Sequence, residues 1–182
     1  ADKYSSKTIR NYVGLLTVVL HQNGISLNMK AITLKPKIKP EYNIPTESEV
    51  QRIAQVVKNT PIEIPVIIAL TLGLRQSEIA GLRWDNYDGT YIKIDRVVVP
   101  NEKHRLVEKG ETKSYASRRI LEVPDYLKYI LDHSFHFSEY ISPCKPYYIL
   151  VHFHRICEEN GLPQFTMHSL RHANASTMLK LN

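Results

Sequence analysis

Two arginines and a histidine stand where chemistry could gather. Arg75 follows Leu72-Gly73-Leu74 and precedes Gln76-Ser77-Glu78. The aliphatic run from Val66 to Leu72 has no polar face apart from Thr71, so it reads as a helix buried on all sides. Gly73 can take the left-handed conformation that closes such a helix. A second helix is expected to begin at once and to bury Ile79 and Leu82. Arg75 falls at the joint. A guanidinium there, always charged and carrying five donors beside an apolar core, needs a fixed anionic partner. Glu78 is one candidate and a phosphate is the other. Far downstream, Thr166 is placed to cap a helix that carries His168 and Arg171 three positions apart, side by side on its first turn. The free N–H groups and the positive dipole end there favour an anion. Arginines and a histidine converging at two helix starts could hold one phosphate. His172, four positions after His168, raises the alternative of zinc. The metalloprotease pattern needs a glutamate directly after the first histidine, and Ser169 stands there instead. His152 and His154, two apart on a helix, face differently. No metal and no cofactor are expected.

The elements that must position these residues follow from local signals. Ser5-Ser6 precede an amphipathic helix whose stripe is Ile9, Tyr12, Val13, Leu16 and Leu20, and Asn23-Gly24 ends it. Residues 30–45 read as a linker in which lysine and proline alternate, which blocks helix and extends the chain. Lys35, Lys37 and Lys39 in it are candidates for DNA-backbone contact. Thr46-Glu47-Ser48-Glu49 is a capping box, with Val50, Ile53, Ala54 and Val57 as the stripe behind it. Thr60-Pro61 opens the next helical segment, and Pro65 places the start of its regular part. From Tyr87 the period changes. Tyr91 to Val99, a second run near Arg105 to Glu108 and a third near Ser117 to Val123 predict one small three-stranded antiparallel sheet, ended by Pro124. Arg118 and Arg119 in the last hairpin are further DNA-backbone candidates. Helices return after Pro124 and from Tyr147 to Asn160, where Asn160-Gly161 is a stop signal. Residues 133–144 give no clear pattern. The buried stripe of the last helix is expected at Leu170, Ala173, Thr177, Met178 and Leu181. The fold class expected is mainly α with a small three-stranded antiparallel sheet (α+β).

With 182 residues and 43% apolar composition the chain can build a proper core. A formal charge of +6 favours a polyanionic partner without proving one. Cys144 and Cys157 form no CxxC pair, and a reducing compartment is the default reading. No apolar run is long enough to span a bilayer, and the N-terminus has no signal-type apolar core, so a cytoplasmic protein with no membrane partner is expected.

The stretch Leu72-Gly73-Leu74-Arg75-Gln76-Ser77-Glu78-Ile79-Ala80-Gly81-Leu82-Arg83-Trp84 resembles the first arginine box of the tyrosine recombinases, the phage-integrase family. His168-Ser169-Leu170-Arg171-His172 resembles the second box. Thr112-Lys113-Ser114, followed by Arg118-Arg119-Ile120 and Pro124, resembles the hairpin that carries the family lysine. The order and spacing of the three carry the resemblance, which covers nearly the whole chain. It implies the catalytic-core fold of DNA breaking–rejoining enzymes over 46–182, a linker over 30–45, and the last helix of a core-binding domain over 1–29. It implies metal-free strand exchange on double-stranded DNA at a specific recombination site, through a 3′-phosphotyrosyl intermediate, by a homotetramer of the full-length protein.

Carried onto this sequence, the resemblance makes Arg75 and Arg171 the grip on the non-bridging phosphate oxygens, Lys113 the acid for the leaving 5′ oxygen and His168 the acceptor or relay of the tyrosine proton. Glu78 and His172 are supporting residues. Internal alternatives remain: a Glu78 salt bridge for Arg75, a solvated hairpin lysine for Lys113 with Lys109 as its rival, and a helix-capping role for His168. In the family the nucleophilic tyrosine follows the second box, and no tyrosine here lies downstream of Arg171. The expectation is a fragment that binds DNA and is catalytically incomplete. A non-catalytic DNA-binding regulator with the same fold is the main alternative, and a topoisomerase using the same chemistry a third.

Overall fold

The computed structural model describes residues 4–28, 32–34, 36, 43–103, 105–109, 118–142 and 145–180; for 109 and 176–180 it describes the backbone alone. Lys35, Lys37, Lys39, Lys113 and Leu181 lie outside the described residues, as do the side chains of Thr177 and Met178. The chain divides into two compact units, Ala1–Glu41 and Tyr42–Asn182. In the first, α1 (Ser6–Gln22) starts where Ser5 accepts a hydrogen bond from the Thr8 N–H and stops at Asn23, with Gly24 at φ 75°. Tyr12, Leu15, Leu16, Val18 and Val19 are exposed along it.

The second unit is organised on α3 (Glu63–Leu72), which packs against α2 (Glu47–Val56), α5 (Asp125–Asp132) and α7 (Met167–Lys180). Six of its residues in a row, Pro65 to Leu70, are buried. A helix apolar on every side can only sit inside, and the amphipathic helices around it supply the cover. Phe153 of α6 (Pro146–Glu159), Ile53, Leu127, Phe165 and Leu170 complete the core. The Thr46 capping box is formed: Glu49 N–H donates to Thr46 Oγ1, and the Thr46 N–H donates to the Glu49 carboxylate. The α3 helix begins at Glu63, two residues before the start expected from Pro65. Pro65 falls within the first turn, where a missing N–H costs nothing because the N–H groups there have no helical acceptor. Among the described residues no helix is long and apolar enough to cross a membrane.

The sheet departs from the expected three strands. Among the described residues four strands form two separate antiparallel pairs: β1 (Tyr91–Ile94) with β4 (Arg119–Glu122), and β2 (Val97–Pro100) with β3 (Leu106–Lys109). The run read as one strand is broken at Asp95-Arg96. The Asp95 carboxylate takes Lys93 Nζ at 3.0 Å and Arg96 Nε at 3.3 Å, and accepts from the Asn86 amide. The Arg96 carbonyl lies so close to Gly81 that a Cβ there would sit 2.9 Å from it. The chain therefore leaves β1 at a backbone-to-backbone contact that only glycine permits, and β2 pairs elsewhere. Within β1 the alternation holds, with Ile92 and Ile94 buried and Tyr91 and Lys93 exposed.

Residues 133–142 gain their order from distant partners. Arg83 and Tyr140 form an isolated antiparallel bridge, the Trp84 N–H donates to the Glu139 carbonyl and the Ile141 N–H to that of Leu82. The Arg83 guanidinium pairs with Glu139 at 2.8 Å and Glu108 at 2.5 Å. Trp84 stacks on His136 at 3.7 Å between ring centroids.

Candidate functional site

Gly73 closes α3 in the left-handed conformation, φ 60°, and turns the chain so that Arg75 caps α4 (Gln76–Ile79). The second helix is thus a single turn. Ile79 ends it, and Leu82, also buried, lies beyond. Its start is locked by Glu78, whose Oε2 accepts from the Arg75 N–H at 2.8 Å while Oε1 accepts from Arg75 Nη1 at 3.0 Å. Gln76 donates from Nε2 to the Pro146 carbonyl at 2.8 Å, fastening α4 to the start of α6.

The α7 helix arrives from the other side. Thr166 Oγ1 accepts from the Ser169 N–H at 3.1 Å and caps it. Arg171 donates from Nη1 to the Gly73 carbonyl, and Asn174 donates to the carbonyls of Leu70 and Thr71, each at 2.9 Å. Carbonyls left over at the end of α3 are thus taken by side chains of α7. The same turn that finishes α3 brings the two arginines together.

Arg75, Gln76 and Ser77 on one side, and Met167, His168 and Arg171 on the other, line one hollow of about 340 Å³. A larger hollow of about 510 Å³, between Pro61, Pro65, Ile130 and Phe135, is mostly apolar and has no arginine or lysine in its wall. The smaller one is the hollow with two arginines and a histidine in its wall. His168 and His172 meet at 3.0 Å between their Nε2 atoms, a contact in which one ring must donate and the other accept. Among the described residues no group of three or more His, Cys, Asp or Glu is placed to hold a metal ion.

Glu78 lies behind the hollow, 2% exposed. Besides Arg75 it takes both terminal nitrogens of Arg119, at 3.1 Å and 3.0 Å, and Arg171 Nη1 stands 4.0 Å from it. Burial alone would push its pKa up. The hydrogen bonds and charge of Arg119, with the hydrogen bonds of Arg75, outweigh burial and hold the carboxyl below its ordinary range, so Glu78 is a buried anion. Burial and then the neighbouring Arg75 guanidinium pull the Arg171 pKa down, and Glu78 opposes them. Arginine stays charged regardless.

The structure therefore brings Arg75, Glu78, His168, Arg171 and His172 together. Arg119, read from sequence as a DNA-backbone candidate, sits on Glu78. Arg118 is exposed and borders a separate, mixed-charge hollow with Arg83, Lys93, Arg96, Asp95 and Glu108. Sequence reasoning missed the place of Arg119 and the capping role of Asn174. The first had a usable signal. Counting by twos back from the inward-facing Val123 through Leu121 puts Arg119 on the same face, with Ile120 outward and 66% exposed.

Comparisons with known proteins bear on the family and the fold. Residues 44–181 match the sequence model described as the phage integrase family. Curated protein sequences give no match. Among solved structures, the Tn1549 transposon integrase in complex with transposon right end DNA superposes with a TM-score of 0.81 at 16% identity, covering 99% of this chain and 69% of that one. A lambda integrase tetramer bound to a Holliday junction gives 0.59 at 16% identity, over 97% of this chain and 60% of that one. The XerA recombinase gives 0.59 at 15%, over 98% and 63%. At these identities the structural likeness speaks for the fold.

Proposed function

The chain belongs to the phage integrase family, and from that premise we propose that the Arg75–His168–Arg171 hollow is the phosphate-gripping part of a tyrosine-recombinase active site acting on double-stranded DNA. One observation carries the reading: two guanidinium groups and an imidazole, from segments about a hundred residues apart, line the same hollow with one buried carboxylate behind them. A phosphodiester seated there would meet Arg75 and Arg171 at its non-bridging oxygens. As a tyrosine oxygen bonds to phosphorus, charge builds on those oxygens, and fixed donors stabilise it most at that moment.

In the step we propose, the phenol proton passes to His168, the tyrosine-oxygen–phosphorus bond forms, and the bond to the 5′ oxygen breaks. Lys113, outside the described residues, would protonate that 5′ oxygen. No tyrosine among the described residues lines the hollow, so the phenol would be presented from elsewhere. Reversal by a 5′ hydroxyl of a partner strand would complete strand exchange. Four copies of the full-length protein are proposed to assemble on DNA; the lambda integrase structure is a tetramer bound to a Holliday junction. The basic residues Lys35, Lys37, Lys39 and Arg118 are proposed to follow the DNA backbone.

The test has two parts. DNA binding by the chain should fall by about 0.9 log units per log unit of salt for each phosphate neutralised, and Arg75→Ala or Arg171→Ala should each lower that slope by about one unit. A longer form carrying a tyrosine after the second box should give a covalent protein–DNA product on nicked recombination-site DNA. In that form Arg75→Ala should slow formation by about a hundredfold or more. Binding without any covalent product would favour a DNA-binding regulator built on the same fold.

A further inference from the structure

The Glu78 carboxylate is served by more cations than its charge requires. Arg119 enters from β4 and donates to both of its oxygens. Arg75 reaches it from the α3–α4 joint through both backbone and side chain. Arg171 approaches to 4.0 Å from α7. The proposed reaction employs Arg75 and Arg171 on the phosphate and leaves Arg119 with no task. Arg119 is 29% exposed, against 59% for Arg75, and is not part of the wall of the hollow.

We propose that Arg119 is a positioning residue for the phosphate site: by gripping the buried Glu78 carboxylate at two points, it fixes the acceptor on which Arg75 is held and so sets where the Arg75 guanidinium meets DNA. The inference rests on the reading of the hollow given above. Two parallel hydrogen bonds fix the plane of a carboxylate as well as its position, which a single contact does not. Arg75 commits Nη1 to Glu78 and is itself part of the wall of the hollow. Any rotation of the carboxylate would therefore swing the guanidinium that carries the chemistry.

The charge argument points the same way. Among the described residues, Arg119 from β4, Arg75 from the joint and Arg171 from α7 are the charged groups that face Glu78, with His168 one turn from Arg171 on α7. Of these Arg119 makes the largest contribution against burial. Without it, burial meets weaker opposition, the carboxyl takes up a proton at higher pH, and Arg75 loses its anionic anchor.

The experiment measures binding of the chain to a short fluorescein-labelled DNA duplex by anisotropy, from about pH 5 to pH 8. Arg119→Gln, Arg119→Lys, Glu78→Gln and the Arg119→Gln/Glu78→Gln double variant are compared with the parent, after thermal melts show which are folded. Arg119→Gln should weaken binding about tenfold at neutral pH, from loss of hydrogen bonds to a charged group. Its deficit should deepen as the solution is acidified. Glu78→Gln should weaken binding similarly without that deepening, and the double variant should be no weaker than the weaker single, because both changes break one link. Losses that multiply in the double variant, or an Arg119→Gln deficit independent of pH, would overturn the proposal by making Arg119 a direct DNA contact. If Arg119→Gln does not fold, Arg119→Lys decides: the charge remains but the two-point grip is gone, so binding as tight as the parent's overturns the proposal. Arg75→Ala and Arg171→Ala separate the two readings. If they bind as the parent does, the phosphate site itself is wrong. If they bind weakly while Arg119→Gln matches the parent at every pH, this inference alone fails.

Discussion

The side chain of Asn174 occupies the space that a Cβ on Gly73 would need: such an atom would stand 2.6 Å from Asn174 Oδ1. Gly73 is also at φ 60°, where an L side chain strains the backbone. Gly73→Ala should therefore cost roughly 2 kcal/mol and lower the melting temperature by roughly 4–8 °C, measured by calorimetry. DNA affinity should fall with it, because Arg171 holds the Gly73 carbonyl. A variant with unchanged melting temperature would mean that α7 does not close on α3 as described.

Asn174 gives a sharper test of the same contact. Its amide donates to two carbonyls at the end of α3. Asn174→Ala leaves those groups short of donors and should destabilise by about 1–3 kcal/mol in denaturant titration. Asn174→Asp is nearly isosteric, but at neutral pH it offers acceptors to acceptors and adds a negative charge at the negative end of a helix. It should be the less stable of the two. The reverse order would mean that shape, not hydrogen bonding, sets the contact.

Glu78 makes stability depend on acid. Burial opposes its ionisation, but the arginines around it hold the folded-state pKa below the ordinary carboxylate range. A depressed folded pKa contributes stability that is present above the unfolded pKa and lost as pH falls through the folded one. Glu78→Gln should thus be less stable than the parent near neutrality, by about 3 kcal/mol before allowance for partial solvent screening of the arginines. The gap should narrow as the solution is taken below the usual carboxylate range. A gap constant with pH would show that Glu78 is not an anion in the folded state.

Cys157 is buried on α6, and burial pushes its thiol pKa up. Thiolates rather than thiols react with alkylating agents. Iodoacetamide should leave Cys157 unmodified in native protein and label it fully in denaturant, as read by peptide mass mapping. Rapid native labelling would show that the packing of α6 against Phe165 opens readily.

What could be read from the residues was what neighbouring residues decide. Ser5, the Thr46 box, Asn23-Gly24, Gly73 and Thr166 all act within four positions, and each lies where expected. The two arginine boxes were found through their helix starts, and their meeting in one hollow follows from packing of α3 on α7. The failures are long-range. The break at Asp95-Arg96 depends on Gly81 and Asn86, and the order of residues 133–142 depends on Arg83 and Leu82. No local pattern reports such partners. Arg119 reads as a DNA-backbone candidate because a strand arginine is ordinarily a surface residue, yet its alternation with Leu121 turns it inward onto Glu78.

One feature of α7 also sets a schedule. Its first turns both finish a helix made a hundred residues earlier and complete the cationic hollow. During synthesis the early arginine emerges from the ribosome long before its counterpart. Until the late helix docks, the chain has an open-ended α3 and half of the cationic hollow. Completion of the hollow is thereby tied to the finished fold, and a nascent chain stalled before that point would carry Arg75 without its counterpart.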